Sequence, residues 1–365
     1  MVDTLRSGWI GTGPRTERFE GLFAEYVGAP HAVAVSSGTA ALHLSLLAAG
    51  VGEGTEVITT PMTFPSTANA IVHAGATPVF ADVDPETGNI DPERVAAAIT
   101  GRTAAILPVH YAGRPCPMGA LEELAAEREL VLIEDAAHAV GGAFGERRIG
   151  AIGDTTCFSF YVTKNLVTGE GGMVTTADAE LAARIRRLCL HGMDRDAWQR
   201  FSVHSFRHYE VVEPGFKSNM TDVQAALGIH QLAKVDRGLA RRREIWAAYD
   251  AGLAGLPVET PAPEEPGTVH ARHLYSVLVE RGRSRDGVLD ALIENRIGTG
   301  VHYRPVHLHP WYRERFGHRA GDFPNAEAIG ERTLSLPLSA ALTDADVADV
   351  LEAMADVLSR TRETA

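Results

Sequence analysis

Short apolar stretches alternate with amphipathic stretches along the first half of the chain, and this alternation constrains the fold more than any other feature. The apolar stretches are rich in Val, Ile, Ala and Thr and are short enough for strands: "HAVAV", "EVITT", "TPVFADV", "TAAILPV" and "LVLIEDA". Predicted helices such as "TAALHLSLLAAGV" and "GALEELAAERE" lie between them. The pattern predicts an α/β fold with a mainly parallel central sheet covered by helices on both faces. Such a sheet binds its ligand at the carboxyl ends of its strands.

The last third of the chain has a less regular pattern. After the Pro- and Glu-rich stretch "PVETPAPEEPG" come a predicted strand, "HLYSVLV", and two predicted helices, "SRDGVLDALIENRI" and "DADVADVLEAMADVLSR". We therefore expect a large α/β domain over residues 1–240, with the N-terminal arm included, and a small C-terminal α+β domain over residues 241–365. The polar, aromatic-bearing segment at residues 193–222 is too long for a simple connection and predicts a functional loop or an interface arm.

Charge and cysteine content exclude several function classes. The 365 residues carry a formal net charge of -13, which would repel nucleic acids and anionic membranes, so an anionic substrate would need a local basic pocket. The three cysteines show no metal-ligand spacing and cannot all pair, which predicts a reducing compartment and no metal site. We find no signal-peptide pattern and no apolar run of membrane-spanning length, so we expect a cytoplasmic protein.

Four small polar residues separate the first predicted strand from the helix that follows it: Ser36, Ser37, Gly38 and Thr39. Their hydroxyl and backbone N–H groups would lie at the positive end of the helix dipole, where a phosphate binds well. An ordinary helix cap is the alternative, but it explains one Ser or Thr and not four such residues in succession. The run therefore predicts an anion site.

Two acidic residues, Glu134 and Asp135, end the predicted strand "LVLIEDA", and His138 follows three residues later. A carboxylate at the end of a buried strand is either a helix cap or a counter-ion for a buried cation. Taken alone, the aspartate more often caps a helix, and the histidine is more often a satisfied polar residue at the edge of a core. The neighbouring strand ends must decide between these roles.

A single lysine, Lys164, lies in "CFSFYVTKNLVTGEGGMVTT" between two predicted strands, at the ligand-binding edge of the same sheet. By itself it is equally consistent with a solvated lysine beside a turn. Together with the anion site and Asp135, however, it matches the needs of pyridoxal phosphate (PLP): a phosphate anchor, a carboxylate for the pyridine nitrogen and a lysine for a Schiff base. A nicotinamide enzyme is the competing use of such a sheet, but no G-x-G-x-x-G follows the first strand.

Several segments along nearly the whole chain resemble the DegT/DnrJ/EryC1/StrS family of PLP-dependent sugar aminotransferases: "SSGTAALHLSL", "TPMTFPSTANAIVHAGATPVFADVD", "IEDAAHAVGG", "CFSFYVTKNLVTGEGGMVTT", "PGFKSNMTDVQAALGIHQL" and "HYRPVHLHPWY". The resemblance implies fold type I and a homodimer whose active sites are shared across the interface. The segments "HGMDRDAW" and "YEVVEPGFKSNMTD" look like the branch that aminates C4 of nucleotide-linked 4-ketosugars.

The resemblance also implies roles for individual residues. Lys164 takes the position of the lysine that forms the Schiff base, Asp135 that of the aspartate at the pyridine nitrogen, and His138 that of a His or Gln near the ring. Relatives that act as dehydratases carry His in place of the lysine. Three further positions correspond to residues that hold the phosphate: Gly38, Thr39 and Ser159.

Other implied positions lie at the rim of the site. Phe64 takes the place of an aromatic ring, often Trp, over the cofactor face. Lys217 and Asn219 fall on an arm that reaches the neighbouring subunit's cofactor phosphate, where many relatives have Asn and Arg. Near the sugar or the donor the resemblance places His302, Tyr303 and His307. A structural role at a domain interface is the alternative for these three residues.

The sequence thus predicts an aminotransferase that moves an amino group from an amino acid, expected to be L-glutamate, to a nucleotide-linked ketosugar at C4. Lys164 would carry the cofactor, and pyridoxamine phosphate (PMP) would be the intermediate. Two alternatives stay open. One is a PLP aminotransferase that acts on a ketocyclitol or another keto acceptor, and the other is a cofactor-binding regulator without turnover.

Overall fold

The computed structural model describes residues 1–193 and 209–360, so the middle of the expected loop or interface arm, residues 194–208, lies outside the described residues. In chain order the strands are β1 (His31–Val35), β2 (Glu56–Thr59), β3 (Thr77–Phe80), β4 (Thr103–Leu107), β5 (Val131–Asp135), β6 (Ala143–Phe144), β7 (Arg147–Arg148), β8 (Thr155–Ser159), β9 (Gly172–Thr176), β10 (Val258–Glu259), β11 (Thr268–Val269), β12 (Tyr275–Val279) and β13 (Thr333–Leu336).

The helices precede, follow and connect these strands. In chain order they are α1 (Val2–Arg6), α2 (Pro14–Val27), α3 (Gly38–Ala48), α4 (Ser66–His73), α5 (Pro92–Ala98), α6 (Met118–Arg128), α7 (Ala179–Leu188), α8 (Asp222–Leu232), α9 (Val235–Gly252), α10 (Arg285–Glu294), α11 (Pro310–Phe316), α12 (Pro324–Arg332) and α13 (Asp344–Arg360).

The central sheet has seven strands in the order β1-β9-β8-β5-β4-β2-β3. Strands β8, β5, β4, β2 and β3 pair in parallel, and β9 runs antiparallel to both of its neighbours, β1 and β8. Each predicted strand of the first half corresponds to one strand of this sheet. The predicted α/β fold with a mainly parallel sheet is confirmed.

Both faces of the sheet are buried, and alternate residues of each strand serve different faces. Val33 and Val35 of β1 pack in a core that includes residues of α3 and α7, whereas Ala32 and Ala34 pack with α2 on the other face. Further along the sheet, residues of α5 and α6 pack in a third core with β2 and β4. Burial on two faces explains why these strands have continuous apolar sequences, since both sets of alternating side chains leave water.

A smaller antiparallel sheet, β10-β12-β13, lies in the C-terminal part of the chain and shares a core with α9, α10 and α13. Its middle strand and two of its helices coincide with the strand and the helices predicted there. Helix α9 is continuous across residue 240 and has residues in two cores: Val235 packs with the central sheet, and Tyr249 packs with the small sheet. The division into domains at residues 240 and 241 stays a prediction.

A third short sheet, β11-β6-β7, connects the region after β5 to the chain just before β12. This pairing positions the residues that follow β11 against the central sheet. In the part of the chain that the structure describes, no helix combines the length and the apolar composition needed to cross a lipid bilayer.

Candidate active site

Several strands of the central sheet end at one cavity of about 460 Å³. Asp135 is the last residue of β5, Ser159 is the last residue of β8, and Lys164 lies in the turn after β8. The cavity brings together nine of the residues that the sequence singles out: Gly38, Thr39, Phe64, Asp135, His138, Ser159, Lys164, His302 and Tyr303. Convergence at strand ends follows from parallel strands having their carboxyl ends on the same edge.

The start of α3 forms one side of the cavity. Ser37 caps the helix, because its side chain accepts a hydrogen bond from the N–H of Ala40 at 3.1 Å. The N–H groups of Gly38 and Thr39 lie in the first turn, where no carbonyl of the helix can accept them. A Cβ atom on Gly38 would lie 2.8 Å from the Cβ of Ser159, so only glycine lets the helix start approach this hydroxyl so closely. The arrangement suits a phosphate.

Asp135 is a buried carboxylate held by two hydrogen bonds. Its Oδ2 accepts from the Thr67 hydroxyl at 2.8 Å, and its Oδ1 accepts from the N–H of Ala137 at 3.1 Å. The Thr67 hydroxyl is in turn 2.7 Å from that of Thr63. Burial raises the pKa of Asp135, against the lowering effect of Thr67 and of the positive charge on Lys164. The carboxylate would therefore gain from a cationic partner in the cavity.

Lys164 carries an amine that is easily deprotonated. Burial lowers its pKa to about 8, although the nearby negative charge of Asp135 pulls the pKa upward. Roughly a tenth of the amine is thus neutral at pH 7 and can act as a nucleophile or as a base.

His138 lies beside the lysine and is held in its neutral form. Its Nε2 is 3.1 Å from the Tyr303 hydroxyl, and its ring centroid is 4.3 Å from that of His273. Burial, together with the charge of Lys164, holds the pKa of His138 well below its usual range. Its Nδ1 is buried and has no hydrogen-bond partner among the described residues. A ligand in the cavity could satisfy this atom.

His302 and His307, five residues apart in sequence, lie in different surroundings. His302 lines the cavity, with its Nδ1 at 2.8 Å from the Ser335 hydroxyl, and burial lowers its pKa to about 4. His307 is buried outside the cavity lining, where its Nε2 is 2.9 Å from Oε1 of Glu327. The expected role of His307 at the substrate stays a prediction.

Lys217 and Asn219 also lie outside the lining of this cavity. The amine of Lys217 donates to Oδ1 of Asn219, and the amide of Asn219 donates to the hydroxyl of Thr12. The two chain segments that contain Thr12, Lys217 and Asn219 also carry large exposed apolar side chains: Trp9, Ile10, Val211, Val212 and Phe216. A role of the two polar residues in a neighbouring subunit's site remains a prediction.

The cavity also contains residues that the sequence did not single out: Thr63, Tyr161, Glu170 and, in contact with its lining residues, Thr67 and His273. Thr63 lies before α4 and Thr67 lies in its first turn, so the contact between their hydroxyls depends on the conformation of the preceding turn and not on helical spacing. Tyr161 and Glu170 flank the lysine turn. The position of His273 depends on the pairing of β11 with β6, which no local pattern indicates.

The donor set of the cavity fits PLP. The start of α3 and Ser159 offer N–H and hydroxyl groups for a phosphate, Asp135 offers a carboxylate for a protonated ring nitrogen, and Lys164 offers an amine for an aldehyde. The unsatisfied Nδ1 of His138 points to the same conclusion, since a buried polar atom normally has a partner.

Comparison with known proteins agrees with the cavity chemistry. The DegT/DnrJ/EryC1/StrS aminotransferase family matches residues 1–355. SpsC, a spore coat polysaccharide biosynthesis protein of Bacillus subtilis, is 52% identical over 363 residues, covering 98% of this chain and 93% of SpsC.

Solved structures with the same fold include PLP and PMP forms. Spr1654 of Streptococcus pneumoniae in its PMP form is 35% identical with a TM-score of 0.93, covering 99% of this chain and 96% of its own, and its PLP form has a TM-score of 0.92. DesV of S. venezuelae, in complex with a ketimine intermediate, is 39% identical with a TM-score of 0.90, covering 99% of this chain and 94% of its own. Because the matching family is an aminotransferase family and Lys164 is present, a regulator without turnover is set aside. The chain belongs to the DegT/DnrJ/EryC1/StrS family and is a PLP-dependent sugar aminotransferase.

Proposed function

We propose that the enzyme transfers an amino group from L-glutamate to C4 of a nucleotide-linked ketosugar. One observation carries the proposal: a single cavity joins an amine of lowered pKa, a buried carboxylate and an anion-binding helix start. The name of the relative SpsC, a spore coat polysaccharide biosynthesis protein, supports a role in supplying an aminosugar for a polysaccharide. The similarity of the segment around "PGFKSNMTD" to C4 aminotransferases supports the position of amination.

In this proposal each side of the cavity holds one part of PLP. Gly38, Thr39 and Ser159 would hold the phosphate, Asp135 would favour the protonated form of the ring nitrogen, and Lys164 would hold the aldehyde carbon until the amine of the donor takes its place. Phe64, with 59% of its surface exposed, can stack against a ring or a sugar. When bound, PLP supplies an electron-withdrawing ring that stabilises negative charge at the donor's α carbon.

After the donor's amine has displaced it from the aldehyde carbon, Lys164 would act as the base that moves the proton from the donor's α carbon to the former aldehyde carbon, and it would move a proton in the reverse direction when the ketosugar is aminated. Its pKa of about 8 leaves enough neutral amine at physiological pH to accept a proton and enough driving force to release it. His138 stays neutral beside it, because burial holds the pKa of the imidazole well below its usual range, so it adds no competing charge. Its hydrogen bond with Tyr303 fixes the ring in place.

The substrate side of the cavity is formed by His302 and Tyr303, which come from the C-terminal part of the chain. We further propose a homodimer in which Lys217 and Asn219 reach the phosphate side of the partner's cavity. The exposed apolar side chains around them support an interface there, since an isolated chain rarely exposes such a patch.

The test is amination of defined ketosugars by the holoenzyme. UDP- and dTDP-linked 4-keto-6-deoxyhexoses are incubated with L-glutamate labelled with ¹⁵N at the amine, and the products are analysed by mass spectrometry and NMR. We expect a ¹⁵N-labelled aminosugar with nitrogen at C4, and none with Lys164→Ala. A ketocyclitol is assayed in parallel, because only acceptor preference separates the two aminotransferase alternatives. Labelled product from the ketocyclitol alone, or from a 3-keto-6-deoxyhexose assayed in parallel and not from the 4-keto sugars, would refute the assigned acceptor or position.

A further inference from the structure

Lys164 lies between two cavities. Besides the cavity described above, it lines a second one of about 500 Å³, which the turn after β8 shares with α9 and with residues 338–341. Arg242 of α9 lines this second cavity, and only 7% of its surface is exposed. A buried cation therefore lines a cavity that shares Lys164 with the first one.

The hydrogen bonds of Arg242 use only one of its three guanidinium nitrogens. Nη1 donates to the carbonyl oxygens of Arg272, His273 and Leu338, at 3.2, 3.4 and 3.0 Å. Nε and Nη2 have no acceptor among residues 1–193 and 209–360, and neither atom is fully shielded from solvent. These two nitrogens form the edge of the guanidinium that binds both oxygens of a carboxylate or phosphate side by side.

Arg242 also lacks a counter-charge within the described part of the chain. Three arginines of α7 show the usual pattern, since Arg184 and Arg187 pair with Glu213 and Arg186 pairs with Glu20. No carboxylate of the described residues lies within ion-pair distance of Arg242, and burial lowers its pKa to about 10, which leaves it charged at neutral pH. A buried charge without a partner is costly, so an anion that enters the cavity would relieve that cost.

We propose that this second cavity is an oxyanion subsite of the enzyme, in which Nε and Nη2 of Arg242 bind a carboxylate or phosphate group of a substrate. The cavity is next to Lys164, so an occupant would be part of a molecule that reaches the reacting amine. The chain has a formal net charge of -13, and such a subsite would supply the local positive charge that an anionic substrate needs. This inference rests on the proposed function only for the identity of the anion, which is either the carboxylate of the donor or the diphosphate of the nucleotide.

The experiment measures binding of two unreactive probes to the PLP-loaded enzyme by calorimetry. Glutarate represents the donor carboxylate, and inorganic pyrophosphate represents the diphosphate. Ala340 is an exposed residue of the cavity lining, so Ala340→Asp adds a competing charge there, and Ala340→Asn is a control of nearly the same shape. We expect Ala340→Asp and Arg242→Gln to lower the affinity for one probe about tenfold. Arg242→Lys should lower that affinity less, and Ala340→Asn should leave it unchanged.

The probe that responds identifies the source of the anion. A response of glutarate alone assigns the subsite to the donor, and a response of pyrophosphate alone assigns it to the nucleotide. If each probe binds Ala340→Asp, Arg242→Gln and the wild type with the same affinity, the proposal is overturned. If Arg242→Gln does not fold, as thermal unfolding would reveal, the Ala340 pair still decides. Charge-dependent probe binding in an enzyme that aminates no ketosugar would refute the proposed function and leave the subsite intact.

Discussion

Lys164 and Asp135 carry opposite charges in one cavity, and burial shifts the pKa of each toward its neutral form. Their attraction opposes both shifts. The sequence predicted these residue types at these strand ends, because apolar strands and the residues that follow them can be read from composition. It could not predict the pKa values, which depend on how much water the folded cavity excludes. Nor could it predict the hydrogen bond from Thr67, which joins segments far apart in sequence.

At this scale the titration of Lys164 is directly testable. In the PLP-free enzyme, we expect acetylation of Lys164 by acetic anhydride, followed by mass spectrometry, to reach half of its maximal rate near pH 8. Asp135→Asn removes the negative charge that raises the pKa of this lysine, so the midpoint should move to lower pH. A midpoint that stays in place or rises in Asp135→Asn would mean that the two groups do not interact.

A second residue-scale prediction concerns Thr67. Thr67→Val keeps the shape of the side chain but removes the donor to Asp135 and the contact with Thr63. The carboxylate loses a hydrogen bond that lowers its pKa, so it holds a cationic ring nitrogen less well. We expect the PLP dissociation constant, measured by fluorescence titration, to rise about tenfold. Thr67→Ser should restore most of the affinity, and equal affinity in Val and Ser variants would contradict the assigned role.

At the scale of elements, a buried hydrogen-bonded pair connects β5 with the segment after β4. Oε2 of Glu134 is 2.8 Å from Nε2 of His110, whose Nδ1 accepts the N–H of Cys116, so Nε2 carries the proton. Glu134 also accepts from Thr156 in β8 and from the N–H of Gly153. One carboxylate thus joins three neighbouring parts of the sheet directly behind Asp135.

Removal of this carboxylate should destabilise the whole sheet. Burial alone would raise the pKa of Glu134, but the hydrogen bonds outweigh it and hold the pKa below its ordinary value of 4.5. Above about pH 4.5, we expect Glu134→Gln to lower the free energy of unfolding by roughly 3 kcal/mol. The difference between variant and wild type should vanish as the pH falls through the lowered pKa of Glu134. Urea unfolding at several pH values measures both effects. Glu127→Gln, on the exposed side of α6, is the control, and an equal loss in both variants would disprove the role of the pair.

The start of α3 provides a second prediction at this scale. Gly38→Ala places a Cβ atom 2.8 Å from that of Ser159, so the helix start must move away from β8 and from the phosphate position. We expect PLP affinity to fall by about tenfold or more in a titration. Gly21→Ala, in α2 with nothing within 4 Å of the added carbon, should leave the affinity unchanged and raise stability by about 0.5–1 kcal/mol. Similar PLP affinities in the two variants would show that close approach at Gly38 is not required.

At the scale of the whole molecule, sequence was sufficient for the fold and for about half of the cavity lining. The strand and helix periods are strong in this chain, and residues such as Lys164 lie at the ends of central strands, where topology alone brings them together. The surroundings of His307 could not be predicted in this way, since it follows Tyr303 closely in sequence but its Nε2 lies 2.9 Å from Oε1 of Glu327. Arg242 shows another limit, because only the folded structure reveals that no carboxylate among residues 1–193 and 209–360 lies within ion-pair distance of it.

The proposed shared active sites make a prediction that only an assembled molecule can test. Lys164→Ala lacks the reacting amine, and a Lys217→Ala, Asn219→Ala double variant lacks the proposed contacts to the partner's site. Unfolding and refolding the two variants together should produce mixed dimers in which one site is intact, with about one quarter of wild-type activity. Activity no higher than the sum of the separate variants would show that each site is complete within one chain.

Helix α9 has a consequence for how this enzyme can be recombined with its relatives. Its first turns pack in the core of the central sheet through Val235, and its later turns pack in the core of the small sheet through Ile245 and Tyr249. A chimera joined at residue 240 would fuse the halves of two different helices, and each half would meet a core shaped for another partner. Crossover points just before or just after Val235–Gly252 would instead transfer the helix whole. We expect chimeras joined there to fold more often, so the natural unit of exchange in this protein ends at a helix terminus and not at the apparent border between its sheets.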